Sequence, residues 1–206
     1  MRLLALGDSY TIGEGVAPGQ RWPEQLSRRR RAGGVPLDPP AVIARTGWTA
    51  DELEAAIDAA SLSSPYDAVS LLIGVNDQYR GRTTVEFHRG FERLLTRAIT
   101  FGGARPERVV AISIPDWGVT PFARHEGRDA EDVANTIDRF NATAWDIAGA
   151  AGVPFVDVTS ISRTCGGGPG MLAGDGLHPG PAQYALWADR LLPAFRCILV
   201  PSTRTG

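Results

Sequence analysis

Five short runs of the chain are apolar almost throughout: Arg2 to Leu6, Ala41 to Arg45, Asp67 to Ile73, Arg108 to Ile114 and Val153 to Val158. A strand with one wet face alternates apolar and polar residues. These runs do not, so both their faces are expected to be covered, as in a parallel sheet. The segments between them repeat at helical spacing. Leu53, Ala56, Ile57 and Ala60 mark one helix face behind a Thr49 and Glu52 capping box, and Phe87, Phe91, Leu94, Leu95 and Ala98 mark another behind Thr83 and Glu86. Val133, Ile137, Phe140, Ala144 and Ile147 form a further stripe, and Tyr184, Trp187, Ala188, Leu191 and Leu192 form another that Pro181 opens at a first-turn position. A helix near Pro23 to Arg31 completes the set, its Arg28 to Arg31 run reading as a solvated end. Strands alternating with helices imply right-handed crossovers and a three-layer α/β/α sandwich around a five-stranded parallel sheet. Residues 1–206 are read as one domain, because no linker or long low-complexity stretch divides them.

A formal net charge of -2 argues against nucleic acid, whose phosphates are bound through concentrated positive charge. All 21 basic residues are arginine, which excludes chemistry that needs a lysine, such as a P-loop or a Schiff base. The few residues before Gly7 are too short for a secretion signal, and no apolar run approaches a membrane span. A cytoplasmic protein without membrane insertion is the expectation. Cys165 and Cys197 are expected as free thiols. Histidines and carboxylates do not recur at ligand spacing, so neither a metal nor another cofactor is expected. The oligomeric state is left open.

In an open parallel sheet, ligands bind at the carboxyl ends of the strands. After the first run stands Gly7-Asp8-Ser9-Tyr10, after the second Thr46-Gly47-Trp48, and after the third Gly74-Val75-Asn76-Asp77. Pro115-Asp116-Trp117 follows the fourth, and Asp175-Gly176-Leu177-His178 lies beyond the fifth. One edge of the sheet thus collects a hydroxyl, an amide, a carboxylate and an imidazole. These suffice for acyl transfer, in which a serine needs a base and the base needs a group to orient it. Ser9 is the candidate nucleophile, His178 the base and Asp175 the orienting carboxylate. The Ser9 and Gly47 N–H groups and the Asn76 amide are candidate oxyanion donors, and losing one such donor commonly costs about 3 kcal/mol of barrier.

Four of these segments, Gly7-Asp8-Ser9-Tyr10, Gly47 within Thr46-Gly47-Trp48, Gly74-Val75-Asn76-Asp77 and Asp175-Gly176-Leu177-His178, in this order resemble the SGNH, or GDSL-type, hydrolase family. The resemblance spans the chain and implies a flavodoxin-like sheet of order 2-1-3-4-5, with Ser9 as nucleophile, Gly47 and Asn76 as oxyanion donors, and Asp175 and His178 completing a triad. Tyr10 stands where the name-giving motif has leucine and is expected to leave the chemistry untouched.

Each residue also has a plainer reading. Ser9 alone is a helix-cap serine, Asn76 a turn former and Gly47 a positive-φ glycine; the shared site raises them above that. Asp8 and Asp77 are expected to be structural, and His88 and His125 to lie on the surface. Trp48, Tyr79, Trp117 and Leu177 are candidate walls of a substrate pocket, with core or rim packing an equal reading for Trp48, Tyr79 and Trp117. The function expected is a serine esterase acting on small carboxylic esters through an acyl-enzyme. The alternatives are a carbohydrate acetylesterase, or a lysophospholipase or thioesterase. From another class comes a non-catalytic flavodoxin-like module for a nucleotide or flavin, to which Gly13-Glu14-Gly15 gives a partial dinucleotide loop.

Overall fold

The computed structural model describes residues 1–199. The chain runs β1 (Leu3–Gly7), α1 (Ser9–Ile12), α2 (Trp22–Ala32), β2 (Ala41–Ala44), α3 (Ala50–Ala59), β3 (Ala68–Leu72), α4 (Val75–Tyr79), α5 (Thr84–Phe101), β4 (Val109–Ile112), α6 (Pro121–His125), α7 (Ala130–Ala150), β5 (Phe155–Val156), α8 (Thr159–Cys165) and α9 (Pro181–Ile198). The five strands form one all-parallel sheet in the order β2-β1-β3-β4-β5, as expected. β1, β3 and β4 are buried along their whole length, which is why their sequences lack alternation. The edge strands β2 and β5 are only partly covered.

Helices cover both faces. α2 packs on α9, while α3, α5 and α7 are neighbours in the other layer. Apolar stripes drive this docking: Phe87 of α5 stacks on Phe140 of α7 with ring centroids 4.8 Å apart. α5 starts at a capping box in which Thr83 Oγ1 accepts the Glu86 N–H at 3.2 Å and the Glu86 carboxylate accepts the Thr83 N–H at 2.8 Å.

Two expectations change in detail. The fifth apolar run keeps only a two-residue strand, because Pro154 can accept from Ala111 (2.9 Å) but has no N–H to give. The arginine run is not simply solvated. Arg29 pairs with Asp189 of α9 at 2.7 Å, and Arg30 is only 7 % exposed, its guanidinium turned inward to the Leu199 carbonyl. Cys165 and Cys197 are both free, and among the described residues no helix is long and apolar enough to cross a membrane.

Candidate active site

The order β2-β1-β3 reverses direction at β1 and β3, and the carboxyl ends of these strands open onto a cavity of about 200 Å³. Ser9, Gly47, Asn76 and His178 all line it, arriving from the ends of β1, β2 and β3 and from the loop before α9.

Ser9 is the first residue of α1, a single helical turn. Asp8 caps that turn by accepting the Tyr10 N–H at 3.0 Å, and Gly13 closes it in the left-handed conformation. The serine hydroxyl is therefore free of the capping duty that a strand-end serine often carries. Among the described residues, Ser9 Oγ makes no hydrogen bond to His178, although both line the cavity, and such bonds often tighten only with substrate bound.

His178 comes from a loop folded back on itself. Leu172 and Pro179 form an antiparallel bridge, and Ala173 N–H donates to the His178 carbonyl at 2.8 Å. Inside this loop Asp175 acts twice. One oxygen accepts the backbone N–H groups of Leu177 (2.9 Å) and His178 (3.0 Å), and the other accepts the His178 Nδ1–H at 2.6 Å. Burial works to raise the Asp175 pKa, but these bonds outweigh it and hold the carboxylate below its ordinary range. An ionised partner on Nδ1 fixes the tautomer that leaves Nε2 free to accept.

Gly47 has φ +87°, a conformation that a side chain would strain. Asn76 lies in α4 and donates from Nδ2 to the Trp48 carbonyl at 2.9 Å, leaving its second amide hydrogen unused by that bond. Among the described residues the backbone N–H groups of Ser9 and Gly47 have no acceptor within the protein. Asp77, the next residue of α4, accepts the Ala50 N–H at 3.0 Å and pairs with Arg82 at 3.2 Å, the structural role expected of it.

Of the candidate pocket walls, Tyr79, Trp117 and Leu177 line the cavity; Trp48 does not. Trp48 immediately precedes the N-cap of α3, the position from which a hydrophobic staple reaches inward, and its indole packs against the core. Thr46, Val75, Phe122 and Tyr10 complete the lining. Phe122 belongs to α6, whose Thr120 cap and Pro121 at the first turn are a legible helix start. The Tyr10 ring lies 5.7 Å from the His178 ring, so the tyrosine in the leucine position borders the reacting groups rather than standing apart. His88 and His125 are exposed, and among the described residues no group of three or more His, Cys, Asp and Glu side chains is gathered as metal ligands would be.

Asp8 is fully buried beside Ser9, and its Oδ2 has no partner among the described residues. Loss of hydration, reinforced by the charge of Asp77 and opposed by the Tyr10 N–H bond, pushes its pKa up to about 8. In the unfolded chain the group ionises near 3.8, so the stability it contributes is complete below that pH and is lost as pH rises toward about 8. Asp8→Asn keeps an acceptor for Tyr10 and has no proton to lose. Thermal melts at about pH 5 and pH 8 should therefore show the variant gaining on the wild type by about 3–4 kcal/mol. Parallel melting curves at the two pH values would mean that Asp8 is not neutral in the fold.

The model of the GDSL-like lipase/acylhydrolase family matches residues 5–186. A search of curated protein sequences finds no match. Among solved structures, the chain is similar to TesA (TM-score 0.75, 20% identity, 97% of this chain and 100% of that one). It is also similar to a lipase/acylhydrolase from Enterococcus faecalis (TM-score 0.74, 24% identity, 98% of this chain and 100% of that one). A third is a carbohydrate acetylesterase family member from Sinorhizobium meliloti (TM-score 0.68, 21% identity, 97% of this chain and 99% of that one). At these identities the likeness is one of fold.

Proposed function

The chain belongs to the GDSL-like lipase/acylhydrolase family of serine hydrolases, and we propose that it hydrolyses small carboxylic esters through a Ser9-His178-Asp175 triad. Family membership removes the alternative of a non-catalytic flavin or nucleotide module. The observation that supports the reading is that Ser9, Gly47, Asn76 and an Asp175-paired His178 all line one small cavity.

In this mechanism His178 Nε2 takes the Ser9 proton as Oγ attacks the ester carbonyl. The developing oxyanion receives hydrogen bonds from the Ser9 and Gly47 N–H groups and the Asn76 Nδ2. Asp175, held ionised, stabilises the imidazolium. His178 then protonates the departing alcohol, leaving an acyl group on Ser9, and a water activated by the same imidazole releases the acid.

Cavity size narrows the substrate. About 200 Å³ lies below the roughly 300–1,000 Å³ of sites that engulf drug-sized ligands, and Val75, Tyr79, Trp117, Phe122 and Leu177 supply mostly apolar walls. Trp117 is fixed by its indole N–H, which donates to Gln78 Oε1 at 2.9 Å, and Tyr79 packs edge-on against it. A short acyl group fits such a site. Across p-nitrophenyl esters of rising chain length, kcat/KM should peak at or below butyrate and fall ~10-fold or more by decanoate, because methylenes beyond the cavity gain none of the ~0.8 kcal/mol that burial would give and a longer chain must crowd the walls to seat its carbonyl. A rise through decanoate would overturn the small-ester reading. The same small cavity also admits an acetyl group on a sugar. A higher kcat/KM for acetylated xylose than for p-nitrophenyl acetate would select carbohydrate deacetylation instead.

A further inference from the structure

Gly47 lines the cavity and its N–H has no acceptor among the described residues, and each residue of the loop 46–48 is held by one side chain from elsewhere. Thr46 Oγ1 bonds to the Glu14 carboxylate, Arg80 Nη2 donates to the Gly47 carbonyl at 2.6 Å, and Asn76 Nδ2 donates to the Trp48 carbonyl at 2.9 Å. Two of these holders come from one helical turn. Asn76 lies in α4 and Arg80 is its C-cap, four residues later and so on the same face.

Arg80 does more than touch a carbonyl. Its Nη1 reaches Glu52 at 3.3 Å, and Glu52 in turn accepts the Thr49 N–H at 2.8 Å at the start of α3. One planar guanidinium thus spans Gly47 and the first turn of α3, with the loop between them. A rigid fork suits that task better than a single ammonium. The residue it holds needs holding: Gly47 has no side chain, sits at φ +87°, and has the widest backbone freedom of any residue type.

We propose that Arg80 is a positioning residue, which keeps the Gly47 N–H aimed at the developing oxyanion without itself touching the substrate. The inference rests on the reading of Gly47 as an oxyanion donor in the preceding section. Its effect belongs in kcat rather than KM, because a donor displaced by a fraction of an ångström loses more against the transition state than against the bound ester. The Arg80 and Glu52 side chains are about half exposed, so their ion pair adds little to stability.

The test compares Arg80→Ala, Arg80→Lys and Ser9→Ala in the full chain, with p-nitrophenyl acetate kinetics and melting temperatures. Arg80→Ala should lose ~10-fold in kcat with KM within about twofold, and Arg80→Lys should fall between it and the wild type. The midpoint of the pH–rate profile should not move, since the base is untouched. A kcat for Arg80→Ala within about twofold of wild type, or a loss confined to KM, overturns the inference, as does a drop in melting temperature with kcat unchanged. Full activity in Ser9→Ala would instead overturn the triad on which the inference stands. An inactive Ser9→Ala beside a fully active Arg80→Ala removes the role of Arg80 alone.

Discussion

Ser9→Ala is expected to lower kcat toward p-nitrophenyl butyrate by at least ~10⁴-fold while leaving the melting temperature within about 2 °C of wild type. Both halves of that expectation follow from the local geometry. The helical turn that carries the serine is capped by Asp8, whose carboxylate accepts the Tyr10 N–H, and closed by Gly13, so the hydroxyl supports no backbone group. Its removal costs the fold almost nothing. The proposed oxyanion donors and His178 remain in place, and a small residual rate over water is expected from them. Treatment of the wild type with a fluorophosphonate, followed by peptide mass analysis, should place the adduct on Ser9 and nowhere else. A variant retaining more than about 1% of activity would remove Ser9 as nucleophile.

Gly7→Ala, two residues earlier, is expected to do the opposite: to damage the fold before the chemistry. Gly7 ends β1 directly opposite Leu72 of β3. A methyl group there would lie 2.5 Å from the Leu72 carbonyl oxygen and 2.2 Å from Thr11 Oγ1. Neither neighbour can yield easily, since one is backbone in an interior strand and the other a buried side chain of the nucleophile's own helix. The strands must spread or the turn must shift, at a cost of about 3–4 kcal/mol, which in a chain of this size lowers the melting temperature by roughly 6–16 °C. Urea titration reads the loss directly. A variant as stable as wild type would show that β1 and β3 are less tightly apposed at their carboxyl ends than the structure has them.

The fold was largely legible because its signals repeat. Buried parallel strands advertise themselves by missing alternation, and long amphipathic helices such as α5 and α7 show several turns of one face. What escaped notice was short. α1, α4 and α6 have four or five residues each, too few for a period of 3.6 to register, yet they carry Ser9, Asn76 and Phe122. Their caps were the readable trace: Asp8 and Gly13 around α1, Thr120 with Pro121 before α6.

At the site, reactive side chains were easier to find than their supports. Ser9, Gly47, Asn76 and His178 stand after strands or in motif blocks, and the structure gathers them around one cavity. For Trp48 the structure favours the core reading over the pocket one, because a residue after a strand that also precedes a helix cap answers to the core as well as to the pocket. Arg80 was invisible because its partner is a main-chain carbonyl, and no sequence pattern shows where a carbonyl points. Tyr10 reads in the sequence as a motif variant only, although its ring lies 5.7 Å from the imidazole.

The cradle and the base are built from opposite ends of the chain. Ser9, Gly47, Asn76 and Arg80 all lie in the segment that contributes β1, β2 and β3, whereas Asp175 and His178 lie in a loop just before α9, which packs across α2. Under the proposed triad, ester cleavage therefore reports that the two ends of the chain have come together.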